Sequence, residues 1–182
     1  MPIDRKMKKI FLFAGFLVVL AAGGHLSQEC DRAIKKVPTT KKIIALTFDD
    51  GPHPKTTPAL LALLEAQKVR ATFFFLGENA EKHPDLVAAA AAGHEIANHG
   101  YSHRYPNRRT REDFFADLAR AETVIAKAAP APVLFRPPGG GYNDRLVLEL
   151  ARRGYTTILW SIDPRDWERR DAGAIAAYVV GR

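Results

Sequence analysis

Strand-like and helix-like segments alternate from residue 43 to residue 182, and that alternation predicts an α/β protein: a parallel sheet or barrel with helices outside. Two further observations agree. The chain has 182 residues, 47% of them hydrophobic and 26% charged, which suits one globular domain with a sizeable core. Its Asp, His and Arg clusters fall just past the C-terminal ends of the strand-like runs, where parallel α/β folds carry their function.

The elements follow in order. "IIALTF" (43–48) is an apolar, β-type run and reads as a strand. "TTPALLALLEAQKV" (56–69) has an N-cap Thr, an early Pro and an apolar stripe, which predict a helix. "RATFFFLG" (70–77) is the second strand. "HPDLVAAAAAG" (83–93) is a helix stopped by Gly93, and its Ala run reflects helix propensity. "HEIANH" (94–99) is a short strand. "TREDFFADLARAETVIAKAA" (110–129) is a long amphipathic helix. "PVLFRPP" (132–138) is a strand, "NDRLVLELARRG" (143–154) a helix closed by Gly154, and "TTILWSID" (156–163) a strand. "DAGAIAAYVVGR" (171–182) begins another helix.

The first 40 residues read differently. Arg5, Lys6, Lys8 and Lys9 precede residues 10–24, fifteen in a row without a charge, ending in small residues. Such a basic, apolar, small-residue order is an export signal, and the run is short of the roughly 20 residues of a membrane span. Residues 1–24 are therefore expected to be a signal peptide, with a signal-anchor as the alternative. Residues 25–40 read as a polar linker to a domain at 41–182. Cys30 is the one cysteine, so no internal disulfide forms. The net charge of +7 suits a cell envelope rich in anionic polymers, and no RNP-like or zinc-finger pattern supports nucleic acid. Membrane contact is expected only through the N-terminal segment, and a monomer is expected.

Four stretches carry chemistry. "LTFDDGPHP" places Asp49 and Asp50 side by side where the first strand gives out. Asp-Asp-Gly-Pro is also good turn chemistry. A working pair would divide its labour, one Asp binding a cation and the other moving a proton. "EIANHGYSHRY" sets His99 and His103 four apart, which on a helical turn puts both imidazoles on one face. Two surface histidines in a polar loop are the plain alternative; their place past a strand end favours a ligand pair. Asp-His-His with open positions suits a catalytic zinc or a similar divalent ion. "FRPPGGGYN" holds Arg136 in a loop fixed by two prolines, where it can keep one Asp ionised. Gly139 to Gly141 are turn glycines, or let a backbone amide approach an oxyanion. "WSIDPRDW" offers Asp163, Asp166, Trp160, expected in the core, and Trp167, expected to wall a groove.

Taken in order, "TFDDG", the His-x-x-x-His after "EIANH", "RPPGG" and "DPRDW" resemble the motifs of the polysaccharide deacetylases, carbohydrate esterase family 4 with the NodB homology domain, over about residues 43–167. The resemblance implies a distorted (β/α) barrel with fewer than eight repeats. It implies one divalent metal on Asp50, His99 and His103, zinc first, with cobalt, nickel or manganese as alternatives. It implies that Asp49 is the general base, that Arg136 holds it, and that a backbone N–H near Gly139 meets the oxyanion. Pro138, Gly139 and Trp167 would line the substrate groove. The implied activity is removal of N-acetyl groups from a GlcNAc-containing polymer, peptidoglycan first and a chitin-type polymer second.

This sequence departs from the family pattern in two ways. Gly139 stands where the family has an aromatic residue, and Gly100 where it has a small hydroxyl. The family's late Leu-x-x-His, whose histidine is the general acid oriented by Asp166, is not found before Arg182. The domain is therefore expected to be an incomplete barrel, truncated before its closing strand. Two alternatives stay open: an O-acetyl (xylan) esterase, and a non-catalytic carbohydrate-binding module. His25, His53, His83 and His94 match no motif and are expected to have no catalytic role.

Overall fold

The computed structural model describes residues 32–41, 43–169 and 171–182. The expected signal segment and Cys30 lie outside them. Five strands form one sheet: β1 (Thr47–Asp49), β2 (Thr72–Phe75), β3 (Glu95–Asn98), β4 (Leu134–Phe135) and β5 (Thr156–Thr157). Their order is β1-β2-β3-β4-β5 and every neighbouring pair is parallel. Helices α1 (Thr56–Ala66), α2 (Gly77–Lys82), α3 (Pro84–Ala91), α4 (Arg111–Ile125) and α5 (Asp144–Ala151) fill the crossovers, and α6 (Ala172–Val180) follows β5. Each crossover returns to the next strand on the same edge. Right-handed crossovers of that kind place their helices on one face. A sheet growing in one direction under helices is the arc of a (β/α) barrel, whereas a doubly wound sheet would reverse its order.

The Phe triplet of β2 shows how the strands sort their side chains. Phe73 and Phe75 enter a core cluster with Leu64, Val87, Ile96 and Ile125. Phe74, between them, faces the other way by the two-residue period of a strand. It lies 4.0 Å beneath the Arg136 guanidinium. A second cluster joins Phe114, Leu118, Phe135, Leu150 and Tyr155. Register aligns the strand ends: Asp49 pairs with Phe74, and Asn98 pairs with both Phe75 and Phe135.

The structure differs from the sequence reading in several places: the strands expected over 43–48 and 132–138 are Thr47–Asp49 and Leu134–Phe135. Helix α2 was not expected, because a six-residue polar run shows no apolar stripe. It forms because Gly77 lets it press on α4: a Cβ there would lie 2.8 Å from Ala121 Cα. Helix α1 starts at Thr56 with no side-chain cap, and the Thr57 hydroxyl instead accepts from His53 N at 2.8 Å. The last strand, expected over 156–163, is two residues long. Ile158 then bridges in parallel to Ile34, whose N–H donates to Thr157 O at 2.8 Å, so the stretch read as linker adds to the sheet edge. Among the described residues, no helix is long and apolar enough to cross a membrane.

Candidate metal and active site

The strand ends bring together residues far apart in sequence. Asp49 closes β1, His99 follows the last residue of β3, and Arg136 follows the last residue of β4. Asp50 leaves β1 with φ +68, a left-handed conformation that Asp tolerates better than most side chains. That turn separates the two adjacent carboxylates. Asp49 meets Arg136, while Asp50 meets the histidines.

Asp50 Oδ1 lies 3.4 Å from His99 Nε2 and 3.3 Å from His103 Nε2. One ligand atom from each of the three residues lies within 4.8 Å of the other two. His99 is buried, and its Nδ1 is 2.7 Å from the Arg136 carbonyl oxygen. A carbonyl only accepts, so Nδ1 carries the hydrogen, and in the neutral ring the Nε2 lone pair faces the Asp50 carboxylate. Two lone pairs aimed at each other call for a cation or a proton between them, and this donor set fits a divalent ion. The contact with His99 holds the Asp50 carboxyl below its ordinary range; burial opposes this, and His99 and His103, when protonated, add to it.

The helical turn expected to join the two histidines is not there. Residues 99–105 form a loop, and His103 has φ +53. The imidazoles converge because the loop is clamped. Asn98 Oδ1 accepts from Gly100 N at 2.7 Å. Asp117, on α4, accepts from Tyr101 N at 2.6 Å, Ser102 Oγ at 2.6 Å and Ser102 N at 3.4 Å, and pairs with Arg109 at 3.0 Å. Gly100, at φ +80, passes so close that a Cβ would sit 3.0 Å from Asp117 Oδ2.

Arg136 is fixed on every side. Its side chain is 3% exposed, and Nη1 donates to Asp49 Oδ1 at 2.6 Å and to Thr47 Oγ1 at 2.9 Å. Nε donates to Ile158 O at 3.3 Å and Nη2 to Leu159 O at 3.2 Å. Pro138, buried, opens a 3-10 turn (Pro138–Gly140) in which Gly139 is exposed at φ +65. Trp160, expected in the core, is only half-buried; it stands 5.5 Å from Arg136 and against Gly140. Asp166 makes no hydrogen bond or ion pair with a described residue, and Trp167 is 76% exposed beneath Arg165. So the fold gathers Asp49, Asp50, His99, His103 and Arg136, and among the described residues no hydrogen bond, ion pair or ring contact ties Asp166 or Trp167 to them. His53 and His94 spend Nδ1 on the backbone N–H groups of Lys55 and Ala71. Sequence reading missed Thr47, Asn98 and Asp117. Asn98 alone carried a signal, as a polar residue inside an apolar strand.

Residues 36–158 match the family model for polysaccharide deacetylase. The chain belongs to the polysaccharide deacetylase family. It is 42% identical, over 80% of its length and 70% of the relative's, to a peptidoglycan-N-acetylglucosamine deacetylase of Bacillus cereus. It is 36% identical, over 82% of its length and 71% of the relative's, to a chitooligosaccharide deacetylase of Sinorhizobium fredii. Among solved structures it resembles a family 4 carbohydrate esterase from Streptomyces lividans in complex with acetate. There the identity is 37% and the TM-score 0.71, over 75% of this chain and 71% of that one. Two longer relatives are spanned over only 53% and 31% of their length. The deacetylase family is generally metal-dependent, and Asp50, His99 and His103 make a possible metal site in this member.

Proposed function

We propose that this chain carries out metal-dependent hydrolysis of N-acetyl groups on a GlcNAc-containing polysaccharide, peptidoglycan first. One observation carries the reading: an Asp-His-His cluster beside a carboxylate that a buried arginine holds at 2.6 Å, all at parallel strand ends. Asp50, His99 and His103 hold one divalent ion, and two imidazoles with one carboxylate favour zinc. Such an ion supplies Lewis acidity toward an acetyl carbonyl and lowers the pKa of water. Asp49 takes a proton from the attacking water, and the departing amine takes up a proton in turn. Arg136 occupies Oδ1 of Asp49 and leaves Oδ2 for the proton from water. Gly139, exposed and without a side chain, lets its backbone amide approach the developing oxyanion. The basic and apolar segments at 1–24 and the +7 charge support action outside the cytoplasm, on an anionic envelope polymer.

The test is metal analysis with acetate release. One ion per chain is expected, lost in each of Asp50→Ala, His99→Ala and His103→Ala. Acetate should leave peptidoglycan fragments and GlcNAc oligomers faster than acetylated xylan. Release from xylan alone would make the protein an O-acetyl esterase, and no release with the ion bound would make it a binding module.

A further inference from the structure

Gly139 stands at φ +65, which side chains rarely adopt, and the space beside it is filled by Tyr105. A Cβ built on Gly139 would lie 2.1 Å from Tyr105 Cε1 and 2.7 Å from Cδ1. The ring therefore fills the space into which a residue at 139 would project. Tyr105 stands two residues past His103, with its ring 6.0 Å from that imidazole and edge-on at 64°. Arg108, in the turn Pro106–Arg108, sets its guanidinium 5.3 Å over the same ring. A ring braced this way would ordinarily be packing a core. Tyr105 belongs to neither core cluster and stays 41% exposed. An aromatic ring held in place and left open to solvent beside a ligand cluster is suited to contact a partner rather than to stabilise the fold.

We propose that Tyr105 is a substrate-contact residue, the aromatic wall that receives the apolar face of the sugar next to His103. It supplies from the 99–105 loop what a side chain at 139 would otherwise supply from the 136–141 loop. The proposal rests on the deacetylase reading for its substrate class.

Binding of a GlcNAc pentamer, measured by calorimetry on metal-free and zinc-loaded protein, tests it apart from turnover. Tyr105→Ala should weaken binding about tenfold, the scale of one aromatic contact, and Tyr105→Phe should stay within about threefold of wild type. Zinc content should not change in either. Unchanged affinity in Tyr105→Ala, or no pentamer binding by wild type, would each overturn the assignment. Pentamer binding without acetate release would instead overturn the deacetylase reading, and Tyr105 would still be judged by affinity.

Discussion

Asp117 touches neither the proposed metal ligands nor Asp49, yet replacing it with alanine should damage both fold and site. Its Oδ1 takes the Ser102 hydroxyl at 2.6 Å and Arg109 at 3.0 Å; its Oδ2 takes Tyr101 N at 2.6 Å. Both Asp117 and Arg109 have side chains 10% exposed. Hydrogen bonds to a charged group contribute about 1.5–3 kcal/mol each. Removing one partner of a buried ion pair costs about 3–5 kcal/mol. The two figures describe overlapping interactions, so about 3–5 kcal/mol is the expected loss rather than their sum. Tyr101 and Ser102 are two of the three residues between His99 and His103, so the loop that brings His103 to Asp50 loses its anchor as well. Outer-shell losses of that kind weaken metal affinity about 10–100-fold.

Urea denaturation with a chelator reads the first effect, and competition with a chromophoric zinc chelator reads the second. Asp117→Leu with Arg109→Met separates them. Removing both charges should recover most of the stability, since an apolar pair can replace a buried ion pair. It should not recover zinc affinity, because nothing then holds Tyr101 N and Ser102. A stability loss below about 1 kcal/mol in Asp117→Ala, or zinc affinity within threefold of wild type, would refute the clamp.

The same carboxyl gives a pH dependence. Burial raises its pKa, but the bonds from Ser102, Tyr101 N and Arg109 outweigh that and hold it below the ordinary Asp value of 3.8. A depressed folded pKa means that the unfolded chain takes up the proton first as pH falls. The contribution of Asp117 is therefore whole above the ordinary value and is lost on acidification through the folded one. Wild-type stability should fall across that window, and Asp117→Asn should lack that part of the fall in urea titrations taken at stepped pH. Asp49→Asn should keep the metal and lose at least about 10²-fold in acetate release, the usual scale for a general base; near-normal release with the ion bound would assign the proton to another group.

What could be read in advance divides along physical lines. Parallel strands and their helices were legible because apolar runs, caps and Gly stops act within a few residues, as at Thr110, Asn143 and Gly154, whereas Gly93 follows α3 without the left-handed turn. The gathering of Asp49, Asp50, His99, His103 and Arg136 was legible because strand ends in such folds share one rim. The cause of the His99–His103 approach was not. Spacing suggested a helical turn, while the structure uses a loop held from α4. Asp117 is one acidic residue on the face of an amphipathic helix, and nothing local distinguishes it from Asp113 or Glu112. Its role arises from the docking of α4 over β3, a contact between segments about 16 residues apart that no periodicity reports. Helix α2 escaped for the same reason, since Gly77 matters through Ala121.

Backbone conformation at the proposed ligands gives the sharpest remaining test. Asp50 at φ +68 and His103 at φ +53 occupy a region that costs an ordinary L-residue about 1–2 kcal/mol. The surroundings hold both in place: Asn79 Nδ2 donates to Asp50 O at 2.7 Å, and the Asp117 bonds fix the residues before His103. Two of three ligands are thus aimed by strained backbone, which persists where the rest of the fold over-determines it. Glycine normally destabilises a structured position by about 0.5–1 kcal/mol relative to alanine. At these two sites the order should reverse. With a chelator present, Asp50→Gly should be more stable than Asp50→Ala, and His103→Gly more stable than His103→Ala, each by about 1 kcal/mol in urea denaturation. All four variants remove a ligand atom, so metal binding cannot account for a difference within a pair. Alanine matching glycine at either position would mean that the left-handed turn relaxes without its ligand side chain. The aim of that ligand would then come from the side chain's own contacts rather than from the backbone.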